Sequence, residues 1–278
     1  MASISAVLIV YNEEQRIEAA LKSLCWCDEI IVADRNSSDR TVEIARKYTD
    51  KVHLLPSTEF SPQDIEFCLS KVGTDWMLLA TASDLIHPSC ASQVRELISR
   101  AEFPYDIIAI PFRRYVLGLE SKRSPWYSKL NSGILFRKKI ARVNLNSVHG
   151  ALTLDSARKY EMPDSAEACM YHLTHSTMDI MMDRHLIYFR AEARVFPAGA
   201  SLWQAVVDIF RAAYVLVFKR KTILLGWDGV ALGMAYLSYW LLRFVYIWER
   251  RCSKAPAAYD KIRQDIERAW EAAEADGK

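Results

Sequence analysis

With 278 residues, 51% of them hydrophobic and an aromatic share that includes eight Trp and thirteen Tyr, the chain is long and apolar enough for one α/β domain plus something extra. Its net charge of +2 names no partner by itself, and its scattered basic residues give nucleic-acid binding no support. The first apolar run is about seven residues long and has no basic leader, which excludes a secretion signal, and six dispersed cysteines exclude a zinc knuckle.

Residues 4–10 form that first run, which stops at Tyr11-Asn12-Glu13-Glu14. Ile17, Ala20, Leu21 and Leu24 follow at helical spacing. A second run, 29–33, stops at Asp34-Arg35-Asn36-Ser37-Ser38-Asp39. Ser38 or Asp39 then caps a helix whose inner face uses Val42, Ala45 and Tyr48. Residues 51–55 read as a third strand, 62–71 as a helix, 76–81 as a fourth strand, 88–101 as a helix and 107–112 as a further strand. Strand and helix in alternation predict a parallel sheet with right-handed crossovers. The cysteines at 25, 27, 68, 90, 169 and 252 read as reduced thiols filling core space.

From 112 to 175 the pattern loosens. Arg113-Arg114-Tyr115 opens a long polar loop through Trp126-Tyr127, residues 132–137 read as a strand, and 176–195 as a helix. Residues 202–218 form an apolar or amphipathic helix that ends in Lys219-Arg220-Lys221. The stretch 223–248 is apolar and aromatic, but Asp228 and Arg243 leave only fourteen uncharged residues between them, short of the ~20 that span hydrocarbon. Aromatics mixed with Lys and Arg suit the headgroup region. The expectation is two helices lying in one leaflet, with a buried helical pair or a dimer interface as the alternative.

In an open α/β sheet, ligands sit at the carboxyl ends of neighbouring parallel strands. Here those ends carry carboxylates and amides rather than a Gly-rich phosphate cradle, which points to a nucleoside rather than a dinucleotide. Asp34 can accept from a base N–H or a ribose hydroxyl, and Asn12 with the backbone around Tyr11 can read the other side. Asn36 stands where the chain must turn sharply, and Asn tolerates positive φ. Asn12 and Asp39 also read as helix caps, and for Asp39 capping is the preferred reading. His172 and His175 have His-x-x-His spacing without a third ligand, which fits contacts to diphosphate or acceptor better than zinc. Arg113, Arg114, Arg123 and Lys129 make a basic loop, either a solvated face or a steering surface for an anionic glycolipid.

The segments Leu8-Ile9-Val10-Tyr11-Asn12-Glu13-Glu14 and Asp34-Arg35-Asn36-Ser37-Ser38-Asp39-Arg40-Thr41 resemble the family 2 glycosyltransferases. The second is similar to the family pattern Asp-x-Gly-Ser-x-Asp-x-Thr, with Asn36 in place of the glycine. Arg113-Arg114, Trp126-Tyr127, Leu135-Phe136-Arg137-Lys138, Val148-His149 and the aromatic C-terminal helix look most like the bacterial subgroup acting on the lipopolysaccharide core.

That resemblance implies an α/β fold of the GT-A type: a Rossmann-like, mostly parallel sheet with helices on both faces, plus C-terminal amphipathic membrane-interfacial helices. The GT-A domain would cover 1–198, with a nucleotide-binding half at 1–100 and an acceptor half at 101–198, and 199–278 would be the membrane-associating region. Tyr11, Asn12, Glu14, Asp34 and Ser83 would bind the nucleotide. Arg113, Arg114, Trp126, Tyr127, His172 and His175 would meet acceptor or phosphate. The family's Asp-Ala-Asp motif, which holds Mg²⁺ or Mn²⁺, reads Ala80-Thr81-Ala82-Ser83-Asp84 here, so Asp84 alone would carry the metal, with His87 assisting or serving helix entry. The subgroup's Val-His-Glu reads Val148-His149-Gly150, which leaves Asp155, Glu120 or His149 as the base.

The implied activity is inverting transfer from a UDP-linked sugar donor to a membrane-associated glycan or glycolipid. The implied place is the cytoplasmic side of the cell membrane, as a peripheral or monotopic protein, with a homodimer through the C-terminal helices. The alternatives are a catalytically weak GT-A-like binding protein in a membrane complex and a polyprenyl-phosphate glycosyltransferase.

Overall fold

The computed structural model describes residues 2–56, 61–127, 133–145, 152–156, 158–165, 167–197 and 199–276. They form two compact units, 1–121 with 126–176, and 122–125 with 177–278.

The first unit runs β1 (Ile4–Val10), α1 (Ile17–Leu24), β2 (Glu29–Asp34), α2 (Thr41–Ala45), β3 (Val52–Leu54), α3 (Pro62–Lys71), β4 (Trp76–Ala80), β5 (Asp84–Ile86) and α4 (Pro88–Ser99). It continues through β6 (Ile107–Ile110), β7 (Phe112–Val116), β8 (Leu119–Glu120), β9 (Gly133–Arg137), β10 (Ala141–Val143), β11 (Leu152–Leu154), β12 (Lys159–Glu161) and β13 (Met170–Thr174). Among the described residues a seven-stranded sheet has the order β12-β6-β9-β4-β1-β2-β3. β1 lies parallel to both β2 and β4, while β9 is antiparallel to β4 and β6. The carboxyl ends of β1, β2 and β4 therefore come together at one edge.

β1 is apolar at nearly every position because both its faces are covered. Ala6, Leu8 and Val10 pack with Leu21 and Leu24 of α1 and Val94 of α4, while Val7 packs with Cys68 of α3 on the other side. Each such buried aliphatic contributes roughly 1.5–3 kcal/mol. Cys68 and Cys90 fill these two cores, and burial pushes each thiol up to about 12.

Residues 107–112, expected as one strand, divide at Pro111. β6 ends in the large sheet, and β7 begins a four-stranded sheet of order β5-β13-β7-β8. Arg113 and Arg114, expected in a polar loop, therefore stand in β7, paired with Tyr171 and His172 of β13. The inner face of α2 uses Ile44 with Ala45, where Val42 was expected. α4 starts with Pro88 in its first turn, and His87 Nδ1 accepts the Ser89 N–H at 3.2 Å. That gives His87 the capping role and not the metal-assisting one.

The second unit holds α5 (Met178–Val195), α6 (Leu202–Tyr214), α7 (Trp227–Cys252) and α8 (Ala255–Asp276). Both α5 and α6 pack on α7, so α5 belongs with them to the unit of 177–278 with 122–125. Arg243, which interrupts the apolar run, lies where the three helices meet. Its Nε meets the Glu192 carboxylate of α5 and its Nη1 lies 3.1 Å from Asp208 Oδ2 of α6. All three side chains are less than a fifth exposed. By length and composition alone α7 is long and apolar enough to cross a membrane, where a helix too short to span was expected.

Candidate active site

The edge where β1, β2 and β4 end is built by reciprocal hydrogen bonds between loops. Asn12 has φ +50 and donates its N–H to Ser37 Oγ at 2.8 Å, while its Oδ1 accepts the Ser38 N–H at 2.9 Å. Asp34 accepts from Ser37 twice, from N–H at 2.8 Å and from Oγ–H at 2.5 Å. Asn36 has φ +59, the left-handed conformation its residue type permits. The Glu14 carboxylate accepts the Arg40 N–H at 3.1 Å, and Asp39 accepts both N–H and Oγ–H of Thr41. Thr41 Oγ1 in turn accepts the Glu13 N–H at 2.7 Å. The two strand ends are thus stapled to one another.

These bonds divide the expected nucleotide ligands into two groups. Asn12 and Glu14 are exposed and Tyr11 is half-buried, with the Arg35 guanidinium 5.9 Å from its ring centre. Asp34 is 1% exposed and accepts from Ser37 at both oxygens, which holds the loop that follows β2.

After β4 the chain turns tightly through Thr81-Ala82-Ser83 into β5. Asp84 closes this turn: its Oδ2 accepts the Thr81 N–H at 2.7 Å and the Thr81 Oγ–H at 2.9 Å. Its Oδ1 meets His172 Nδ1 at 2.7 Å. Ser83 Oγ accepts from Arg16 Nη1 at 2.7 Å, and Arg16 is itself held by Glu13 through Nε at 2.9 Å.

A divalent cation at this position needs converging hard oxygens. Thr81 and Ser83 supply no carboxylate, Asp84 is buried with partners on both oxygens, and a guanidinium stands against Ser83. Among the described residues no group of three or more His, Cys, Asp or Glu side chains gathers to hold a metal ion. The donor set does not fit Mg²⁺ or Mn²⁺, and the expected metal role of Asp84 gives way to turn closure and orientation of His172.

Across the small sheet, Asp84, His172 and Arg114 occupy paired positions on β5, β13 and β7. Directly paired residues share a face. The Phe112 ring lies 5.2 Å from that of His172 and 5.6 Å from the Arg114 guanidinium. Arg113 belongs to the opposite face, bonded to Asp164 at 2.7 Å, and Glu120, paired with Tyr115, lies on that same far face. Glu120 is therefore not brought to the Asp84 row. Asp155 is also elsewhere. Its N–H bonds to Ile140 O beyond the end of β9, and β9 ends opposite Trp76, the start of β4. That places Asp155 at the far edge of the large sheet from the β4 carboxyl end. His149 lies outside the described residues, as do Lys129, Val148 and Gly150. Trp126 and Tyr127 are half-buried, and His175, at φ +51, accepts the Leu117 N–H at its carbonyl and is not joined to His172 in a ligand set.

Sequence reasoning missed Arg16 and the pairing of Asp84 with His172. The signal for the second was a histidine inside the otherwise uncharged run Met170-Tyr171-His172-Leu173.

Comparison with known proteins agrees with this layout. The chain is 24% identical to an uncharacterized glycosyltransferase of Rickettsia bellii over 275 residues, covering 92% of this chain and 90% of that one. A Rickettsia felis counterpart is 24% identical over 261 residues, with 90% of each covered. Among solved structures, residues 1–349 of S. aureus TarS in complex with UDP-GlcNAc superpose with a TM-score of 0.50 at 18% identity, covering 87% of this chain and 81% of that one. The shared fold is the GT-A arrangement. The sequence profile described as Glycosyl transferase family 2 matches residues 5–159, from the first strand through the β12 edge of the large sheet. Spanning more than half of the chain, that match places the protein in family 2 of the glycosyltransferases.

Proposed function

We propose that this enzyme transfers a sugar from a UDP-linked donor to a membrane-associated glycan or glycolipid, with inversion, at the cytoplasmic face of the cell membrane. The observation that carries the reading is the presence in one chain of a polar edge where β1, β2 and β4 end and an apolar helix, α7, long enough to enter a bilayer. The UDP-GlcNAc complex of the TarS fold relative supports the choice of nucleotide. The likeness of Arg113-Arg114 and Trp126-Tyr127 to the lipopolysaccharide-core subgroup supports a glycan acceptor of that type.

In the transfer, the bond from the anomeric carbon to the donor diphosphate breaks and its electron pair leaves with the diphosphate. The acceptor oxygen forms the new bond and its proton passes to a base. The likeness of Val148-His149 to the subgroup's Val-His-Glu supports His149 as the base. A panel of nucleotide sugars incubated with the enzyme and bacterial membrane extract tests the reading. UDP release should depend on the extract and fall about 10²–10⁴-fold in His149→Ala, with donor affinity retained. Extract-independent release, or release only from donors with another nucleotide, would oppose it.

A further inference from the structure

The site that resembles a metal-dependent one lacks the metal's carboxylates at Thr81 and Ser83, and a guanidinium, that of Arg16, stands against Ser83. Taken together, two aspartates and one divalent cation carry no net charge, so losing all three leaves the local balance unchanged. The leaving diphosphate still needs positive charge facing it as the glycosidic bond breaks.

Two guanidinium groups are in position. Arg16 reaches Ser83 at 2.7 Å, at the residue that stands where the second motif aspartate belongs. Its neighbour Glu13 fixes its orientation through an ion pair to Nε, at 2.9 Å, and Nη2, and that carboxylate offsets part of the Arg16 charge. Arg114 is different in kind. Half-buried in β7, it makes no hydrogen bond or ion pair among the described residues, and its guanidinium lies 5.6 Å from the Phe112 ring centre. Burial pulls its pKa below the ordinary arginine value, partly offset by the Asp84 carboxylate. A desolvated cation with unfilled donors is expensive unless a ligand supplies the acceptors. A guanidinium presents those donors in a fork that matches phosphate oxygens. Between Arg114 and Asp84, His172 is held by its Nδ1, which leaves its Nε2 for the same ligand.

We propose that Arg114 and Arg16 neutralise the leaving diphosphate in place of a divalent cation, so that donor binding and transfer are metal-independent. The inference rests on the nucleotide-sugar reading above. The diphosphate oxygens take hydrogen bonds from Arg114 and from the Arg16–Ser83 pair, and the electron pair released from the anomeric carbon settles on an oxygen facing these donors.

The test is calorimetric binding of nucleoside diphosphates and of the matching nucleosides to the full chain in detergent, with EDTA or with Mn²⁺. The expected result is a diphosphate affinity that changes less than about threefold between EDTA and Mn²⁺. Arg114→Gln should weaken the diphosphate about tenfold or more, the scale of losing a charge-assisted hydrogen bond, and leave the nucleoside within about threefold. Arg114→Lys should recover part of the loss, which a folding defect would not. Diphosphate binding that requires Mn²⁺, or equal losses for nucleoside and diphosphate in Arg114→Gln, overturns the inference while the donor reading stands. Binding of no nucleotide under any condition overturns the donor reading and this inference with it.

Discussion

At the scale of single residues, the edge where β1 and β2 end depends on two asparagines in left-handed backbone. Asn36, at φ +59, stands where the family pattern has glycine, and Asn12, at φ +50, carries three loop bonds. Asn36→Gly should change stability by less than about 0.5 kcal/mol, since glycine accepts this φ freely, whereas Asn36→Val should cost about 1–2 kcal/mol. Chemical denaturation of the three proteins measures this, and equal midpoints for Gly and Val would contradict it. Asn36 was legible in the sequence because a polar run ending a strand must turn at once, and few residue types turn that way. The bonds from Ser37 to Asp34 were not legible. A carboxylate at a strand end reads the same whether it faces a ligand or folds back on Ser37, and only the loop path decides between them.

At the scale of elements, the strands and helices of the first hundred residues other than β5 follow from the apolar pattern, because both faces of β1 and β4 are covered and their boundaries are polar. Periodicity failed where pairing is between distant segments. β7 holds Arg113 and Arg114 in a strand that lacks an apolar pattern, and its strand character comes from β13, more than fifty residues later. The Asp84–His172 contact, across 88 positions, has the same origin. In the helical unit, Arg243 looked like a break in an apolar helix, yet it pairs with Glu192 and Asp208 from two neighbouring helices. Arg243→Ala would leave two largely buried carboxylates facing each other, and should destabilise the helical unit by about 3–5 kcal/mol. Thermal melting followed by helical circular dichroism in detergent reads this, and an unchanged melt would show that the cluster is not a stabilising centre.

At the scale of the whole molecule, the enzyme joins a GT-A unit to a helical unit with apolar surface exposed at the turn between α6 and α7. Phe218, Ile223, Leu224 and Trp227 are each more than 60% exposed, beside Lys219, Arg220 and Lys221. Such a mixture fits the headgroup zone of an anionic bilayer. Removing Phe218 and Trp227 together, as Phe218→Ser with Trp227→Ser, should lower partition onto vesicles containing anionic lipid at least about tenfold, given roughly 1.5–3 kcal/mol for each buried aromatic. Substitution is preferable to truncation at 199, which would strip α5 of the helix it packs on. Unchanged cosedimentation would favour the dimer or buried-pair alternative. The central claim, that a sugar passes from nucleotide to a membrane-held acceptor at the Thr81–Asp84 turn, is tested most directly by following radiolabel from UDP-sugars into the glycolipid fraction of bacterial membranes. The account predicts one label transferred for each UDP released, and loss of both in Arg114→Gln. Donor that is bound or hydrolysed without label reaching the membrane fraction would contradict it.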